Sequence, residues 1–134
     1  MWKPLLLVSA MVMLGYGWGP VVPSPQDAAP AADHSNDKNP VKSTPESQAK
    51  AKKTYTYDCE MCHAPNGNGK TDLAKDMSMN LTDLSQASTL AGKSDGALFD
   101  LIRKGKDKMP AEEAARAKDD DIWNLVIYVR SLGK

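Results

Sequence analysis

Residues 59–63 read Cys59-Glu60-Met61-Cys62-His63, and this stretch governs the reading of the rest of the chain. Two thiols three positions apart can each form a thioether to one vinyl group of a porphyrin. The histidine directly after them is placed to bind the iron from one side. C-x-x-C-H is the pattern of covalent haem c attachment, whereas C-x-x-C without the histidine suggests a redox dithiol or half a zinc site. The chain has no other cysteine, so a four-cysteine zinc site is excluded. A structural disulfide between the two is the competing reading, and the adjacent histidine disfavours it.

The surrounding composition narrows the class further. At 134 residues the chain is sized for one domain. Lys plus Arg and Asp plus Glu each number 17, giving no net charge. Phosphate binding needs a basic excess, so no nucleic-acid partner is expected. Residues 1–19 combine Lys3 with an apolar run from Leu5 to Leu14. This has the form of a signal peptide or, if Tyr16 and Trp18 extend it, an N-terminal membrane anchor. Either form implies export, and a periplasmic location, soluble or tethered through 1–19, is the expectation. No cysteine follows the run, so a lipoprotein anchor is excluded. Residues 20–45 hold Pro20, Pro23, Pro25, Pro30, Pro40 and Pro45 among Ala, Ser, Asp and Asn, a Pro/Ala/Ser-rich linker that cannot bury a core. The haem domain is then 46–134, small enough that a buried haem would serve as part of its core.

Helical signals dominate that domain, and no alternating strand pattern is present, so an all-α fold is expected. A first helix is predicted from about Glu46 to Asp58, with Ala51, Tyr55 and Cys59 along one stripe. A second is predicted to open at Ser94 as N-cap, bury Leu98, Leu101 and Ile102, and stop at Gly105. A third follows Asp119-Asp120-Asp121, which suit the positive end of a helix dipole better than an acid–base role. Its interior, Ile122 to Leu132, is apolar on two sides, as a helix packed against both a neighbour and a bulky group requires. Residues 64–93 show weak periodicity and are expected to form a wrapping loop with a short turn.

A second axial ligand is sought among the seven methionines. Met1, Met11 and Met13 belong to the targeting segment, and Met61 sits between the thiols on the attachment side. Met109 precedes Pro110 in the turn after the second helix, where proline stiffens the loop and holds the methionine extended. A thioether opposite a histidine is a soft, neutral ligand that favours ferrous iron. Met109 is therefore the preferred distal ligand, with Met79 the runner-up and Met77 a further competitor in the long loop. His34, the only other histidine, would give a bis-histidine site only if the linker folded back to the iron.

From about Ser47 to Leu132 these motifs resemble the class I monohaem cytochromes c, especially the small bacterial periplasmic branch. The resemblance rests on the C-x-x-C-H helix, the D-x-x-L-x-x-x-I-x-x-G helix, Met-Pro, and the ending I-W-x-L-V-x-Y-V-R-S-L. It implies the cytochrome c fold, with first and last helices crossing through Ala51 and Tyr55 against Leu125 and Tyr128. It also implies one covalent haem c held by Cys59 and Cys62, its iron bound by His63 and Met109, and a one-electron carrier with no catalytic residues. Family members commonly orient the proximal histidine with a proline carbonyl, yet no proline lies between Pro65 and Pro110, so the partner of His63 is open. A haem subunit of a larger oxidoreductase and a five-coordinate haem enzyme or sensor are the alternatives. Lys104, Lys106 and Lys108 flank the methionine loop and could steer docking of a redox donor or acceptor; a solvated turn explains them equally.

Overall fold

The computed structural model describes residues 32–134. The expected targeting segment, 1–19, and residues 20–31 of the expected linker lie outside the described residues. Among those described, the elements are all helical.

Helix α1 (Pro45–Thr54) starts at a reciprocal cap. The Ser47 amide donates to the Thr44 hydroxyl at 3.1 Å, and the Thr44 amide donates to the Ser47 hydroxyl at 2.9 Å. Pro45 fills the first helical position, where a missing N–H costs nothing. The rod outlasts its predicted end at Asp58. It continues through a π-helical turn, Tyr55–Cys59, into α2 (Glu60–His63). The whole haem motif is thus helical, and the rod breaks only at Ala64, where φ turns to 66°.

Helix α6 (Asp119–Ser131) packs across α1. Ile122, Trp123, Leu125, Val126 and Val129 are buried along it, so both apolar sides expected of this helix are used. Ala51 sits buried at the crossing, and the rings of Tyr55 and Tyr128 meet at 5.3 Å. The three aspartates form the first turn of α6 rather than preceding it. Asp121 reaches back to accept from the Lys118 amide at 3.2 Å, which satisfies a donor the helix leaves open.

Residues 64–93 hold two short helices that their weak periodicity did not announce, α3 (Asp72–Asp76) and α4 (Ala87–Leu90). Thr71 caps α3 by accepting from the Ala74 amide at 3.1 Å. Helix α5 (Asp95–Lys104) has its expected ends: Ser94 accepts from the Ala97 amide, and Gly105 stops it at φ 70°. Its buried face differs from expectation. Leu98 and Phe99 are in the core, while Leu101 and Ile102 are only half-buried. Arg130 locks α6 to the α4–α5 junction by donating to Asp95 at 2.5 Å and to the Lys93 carbonyl at 2.6 Å.

The expectation that the compact body begins near Glu46 requires correction, because residues 34–41 form a strap laid on α5 and α6. The His34 ring packs edge-on to Phe99 at 4.6 Å and to Trp123 at 5.7 Å. Asn39 donates to the Trp123 carbonyl at 3.0 Å, Ser94 donates to the Ser35 carbonyl at 2.5 Å, and the Gly96 amide donates to the Asp37 carbonyl at 3.2 Å. The linker composition is deceptive here, since backbone hydrogen bonding needs no apolar side chains. Gly96 explains the close approach: a Cβ there would overlap the His34 carbonyl and stand 2.9 Å from the Asp37 nitrogen. Helix propensity alone would make Gly96→Ala stabilising by about 1 kcal/mol. The expected result is instead a net loss of stability, with faster amide hydrogen exchange across residues 34–41, measured by thermal denaturation and exchange mass spectrometry.

Candidate haem site

Between α2, α5 and the loops that follow α3 and α5 lies a cleft of two adjoining lobes, of about 310 and 270 Å³. Cys59 and His63 line both lobes and Cys62 lines one, so the fold gathers the attachment motif on a single wall. Leu81 and Ile102 face both lobes, and Leu101 and Val129 face one. Leu81, Leu101 and Ile102 are apolar yet only half-buried, because the cleft they line is not filled by protein. Two thiols, an imidazole and an apolar slot are the chemistry of a covalently held haem. The cleft volume is of the size expected for a cofactor.

Electrostatics favour that fit over a redox dithiol. Burial, helped by the carboxylates of Asp58 and Glu112, pushes the Cys59 thiol up to about 12. A dithiol oxidoreductase instead stabilises a thiolate. Burial lowers the pKa of His63, keeping the ring in the neutral form that binds metals. Its Nδ1 is buried and finds no partner among the described residues.

The methionines separate by position. Met109 lines both lobes, Met79 lines one, and Met77 is exposed and lines neither. A tight turn presents Met109: its amide donates to the Lys106 carbonyl at 2.8 Å, and its carbonyl accepts from the Lys106 amide at 3.0 Å. His34 is not in this wall; it lies in the strap, with Nδ1 2.8 Å from Asp37. The linker does fold back, but onto the aromatic pair of Phe99 and Trp123.

The three lysines are not equivalent. Lys104 pairs with Asp100 at 3.1 Å, and Lys108 donates to the Met77 carbonyl at 2.5 Å. Lys106 is exposed and forms no ion pair among the described residues. Asp58, Asp107 and Glu112 share the same cleft mouth, so its charge is mixed. Arg116 bridges Asp58 and, at 3.5 Å, Glu112, while burial raises the Glu112 carboxyl. Sequence reasoning passed over this acidic side of the mouth; the position of Asp58 directly before Cys59 was the available signal.

A helical domain that crosses its first and last helices beside a Cys-x-x-Cys-His cleft is a c-type cytochrome, and its cofactor is covalently bound haem c with iron. Over residues 46–129 the chain matches the family described as cytochrome c oxidase, cbb3-type, subunit III, and it belongs to that family. Among solved structures, the KustC0563 c-type cytochrome is similar at 26% identity and a TM-score of 0.53, over 63% of this chain and 98% of that one. The reducing HAO-like protein complex Kustc0457/Kustc0458 of Kuenenia stuttgartiensis is similar at 25% identity and a TM-score of 0.56. That likeness covers 71% of this chain and 47% of the other. No curated protein matches the sequence. Family and neighbours together support a role in haem c electron transfer.

The methionine turn depends on Gly105. At φ 70° and ψ 177° the backbone is in a region essentially reserved for glycine, and a Cβ would stand 2.5 Å from the Met109 carbonyl oxygen. Gly105→Ala should therefore cost about 2 kcal/mol or more. Gly92→Ala, whose Cβ meets nothing within 4 Å, should stay within about 0.5 kcal/mol of the wild type. Thermal denaturation of the two variants checks the difference.

Proposed function

We propose that this chain is a one-electron carrier in which Cys59 and Cys62 hold the haem and His63 and Met109 occupy the two axial positions of its iron. The observation that carries the reading is that His63 and Met109 alike line both lobes of the cleft, while Met79 lines one and Met77 neither. When bound, the cofactor supplies a reversible couple between ferric and ferrous iron. Neutral His63 and the soft Met109 sulfur favour the ferrous state and raise the potential. Leu81, Leu101 and Ile102 keep water from the ring, and the bonded turn around Met109 holds the ligand in place through both oxidation states. A haem iron held by both His63 and Met109 would leave no vacancy for a substrate, which favours a carrier over a five-coordinate enzyme or sensor.

Two further parts belong to this reading. The haem works outside the cytoplasm, in the periplasm, delivered by residues 1–19. Among the described residues no helix is long and apolar enough to cross a membrane, so a tether would rest on that segment. A second reading, a haem subunit of a larger oxidoreductase, is favoured by the subunit named in the family description. Retention of partner subunits through gentle purification from membranes separates it from a free carrier.

The weak long-wavelength ferric band of methionine–sulfur ligation should be present in the wild type. It should disappear in Met109→Ala and persist in Met77→Ala and Met79→Ala; loss in Met79→Ala alone would move the ligand. Rapid carbon monoxide binding by the reduced wild type would point instead to an open site.

Docking of an anionic donor or acceptor at Lys104, Lys106 and Lys108 is the electrostatic part of the proposal, with Lys106 the freest of the three. Oxidation by hexacyanoferrate should slow as ionic strength rises, and Lys106→Glu should slow it about two- to tenfold at low salt. A flat salt response removes the lysine docking face.

A further inference from the structure

We propose that Tyr55 is the positioning residue for His63, acting through the backbone that follows the histidine rather than through its ring. The inference rests on the reading of His63 as the proximal iron ligand. A metal-bound histidine normally donates its second ring N–H to a carboxylate or carbonyl, which fixes the ring. Here Nδ1 is buried without an acceptor among the described residues, and no proline lies between Pro65 and Pro110 to supply one. Among the described residues, the contacts that hold His63 are those of the main chain after it.

That main chain is over-determined. The Ala64 amide donates to the Glu60 carbonyl at 2.8 Å, and the Gly69 amide donates to the His63 carbonyl at 2.9 Å. Ala64 itself stands at φ 66° and ψ 161°, a conformation essentially confined to glycine. Such a conformation persists only where surrounding contacts enforce it. Two donors meet at its carbonyl oxygen: the Gly67 amide at 3.1 Å and the Tyr55 hydroxyl at 2.8 Å. Ala64 is 6% exposed, so water has little room to replace the phenol.

Tyr55 is suited to the task. It is 1% exposed, and its ring is pressed against Tyr128 at 5.3 Å, so its hydroxyl has a fixed direction. Burial also raises its pKa, which keeps it a donor. It opens the π-helical turn, in which the Glu60 amide donates back to the Tyr55 carbonyl, so the same residue holds the chain before and after the haem motif. The crossing of α1 and α6 is thereby linked to the iron ligand through one phenol and one strained alanine.

A tyrosine that only filled the core would lose little besides its hydroxyl in Tyr55→Phe, with the iron site unmoved. The positioning role predicts more for the holoprotein. Tyr55→Phe should lower the thermal midpoint, shift the reduction potential, and move the hyperfine-shifted His63 proton resonances of the ferric form. Ala64→Gly should raise the midpoint by relieving the strained φ. Added to Tyr55→Phe, it should restore the His63 resonances toward wild-type positions, because glycine adopts this conformation without the phenol's help. Additive stability effects with unmoved His63 resonances and potential overturn the proposal. If Tyr55→Phe does not retain haem, recovery of loading in the double variant supports the proposal and no recovery overturns it. Wild-type protein without a coordinated-imidazole spectrum overturns the ligand reading and this inference with it; a normal wild-type spectrum that Tyr55→Phe leaves unchanged overturns this inference alone.

Discussion

Burial of Tyr55 between the first and last helices is the interaction on which the rest of the structure depends. Its ring lies in the core with Leu125 and Val129, meets Tyr128, and forms part of the cleft wall. Its hydroxyl ends on the carbonyl just past His63. A fully buried aromatic side chain contributes about 2–3 kcal/mol through apolar area alone. A buried phenol must also find an acceptor, or its desolvation is uncompensated. Both demands are met only when α6 crosses α1 and the chain reverses at Ala64. Packing and the geometry of the haem motif are thus one constraint.

The cleft is the consequence of an incomplete core. Helix α6 packs across α1 and α5 packs on α6, but Leu81, Leu101 and Ile102, which line the cleft, stay only half-buried. A domain this small has little apolar surface to spare, so the cofactor and the fold stabilise each other. The loops that carry Met109 and follow His63 are held at the rim by backbone bonds rather than by bulk. Gly105 and the Lys106–Met109 turn serve one side, and Ala64, Gly67 and Gly69 serve the other. The strap of residues 34–41 reinforces the far face of the same helices through Phe99 and Trp123.

Charge has a smaller part than the lysine-rich turn promised. Lys104 is paired with Asp100, and Lys108 is drawn to a backbone carbonyl. Asp58 and Glu112, with Arg116 between them, make the mouth mixed rather than cationic. Surface pairs of this kind contribute little to stability, and they weaken the steering field that the lysines would produce alone.

Several features were legible in the sequence because they are local. The attachment motif is five contiguous residues whose chemistry needs no tertiary contact. The caps at Ser94 and Gly105 act within one helical turn, and the apolar faces of α6 repeat with the helical period. What was missed depends on contacts between residues far apart in the chain. Helices α3 and α4 are too short to carry a periodic signal and exist because the wrapping loop packs. The strap looks like a linker because its hold on α5 and α6 comes from carbonyl acceptors, from the side chains of His34 and Asn39, and from the bare Cα of Gly96, not from an apolar run. Leu101 and Ile102 read as core, and only the cleft reveals that protein covers them in part. The sequence by itself determined which groups could hold a haem, since covalent chemistry and ligand type belong to side chains. Only the tertiary structure decided how His63 is held and which methionines reach the cleft, because orientation is set by the backbone path, and that path is fixed by packing.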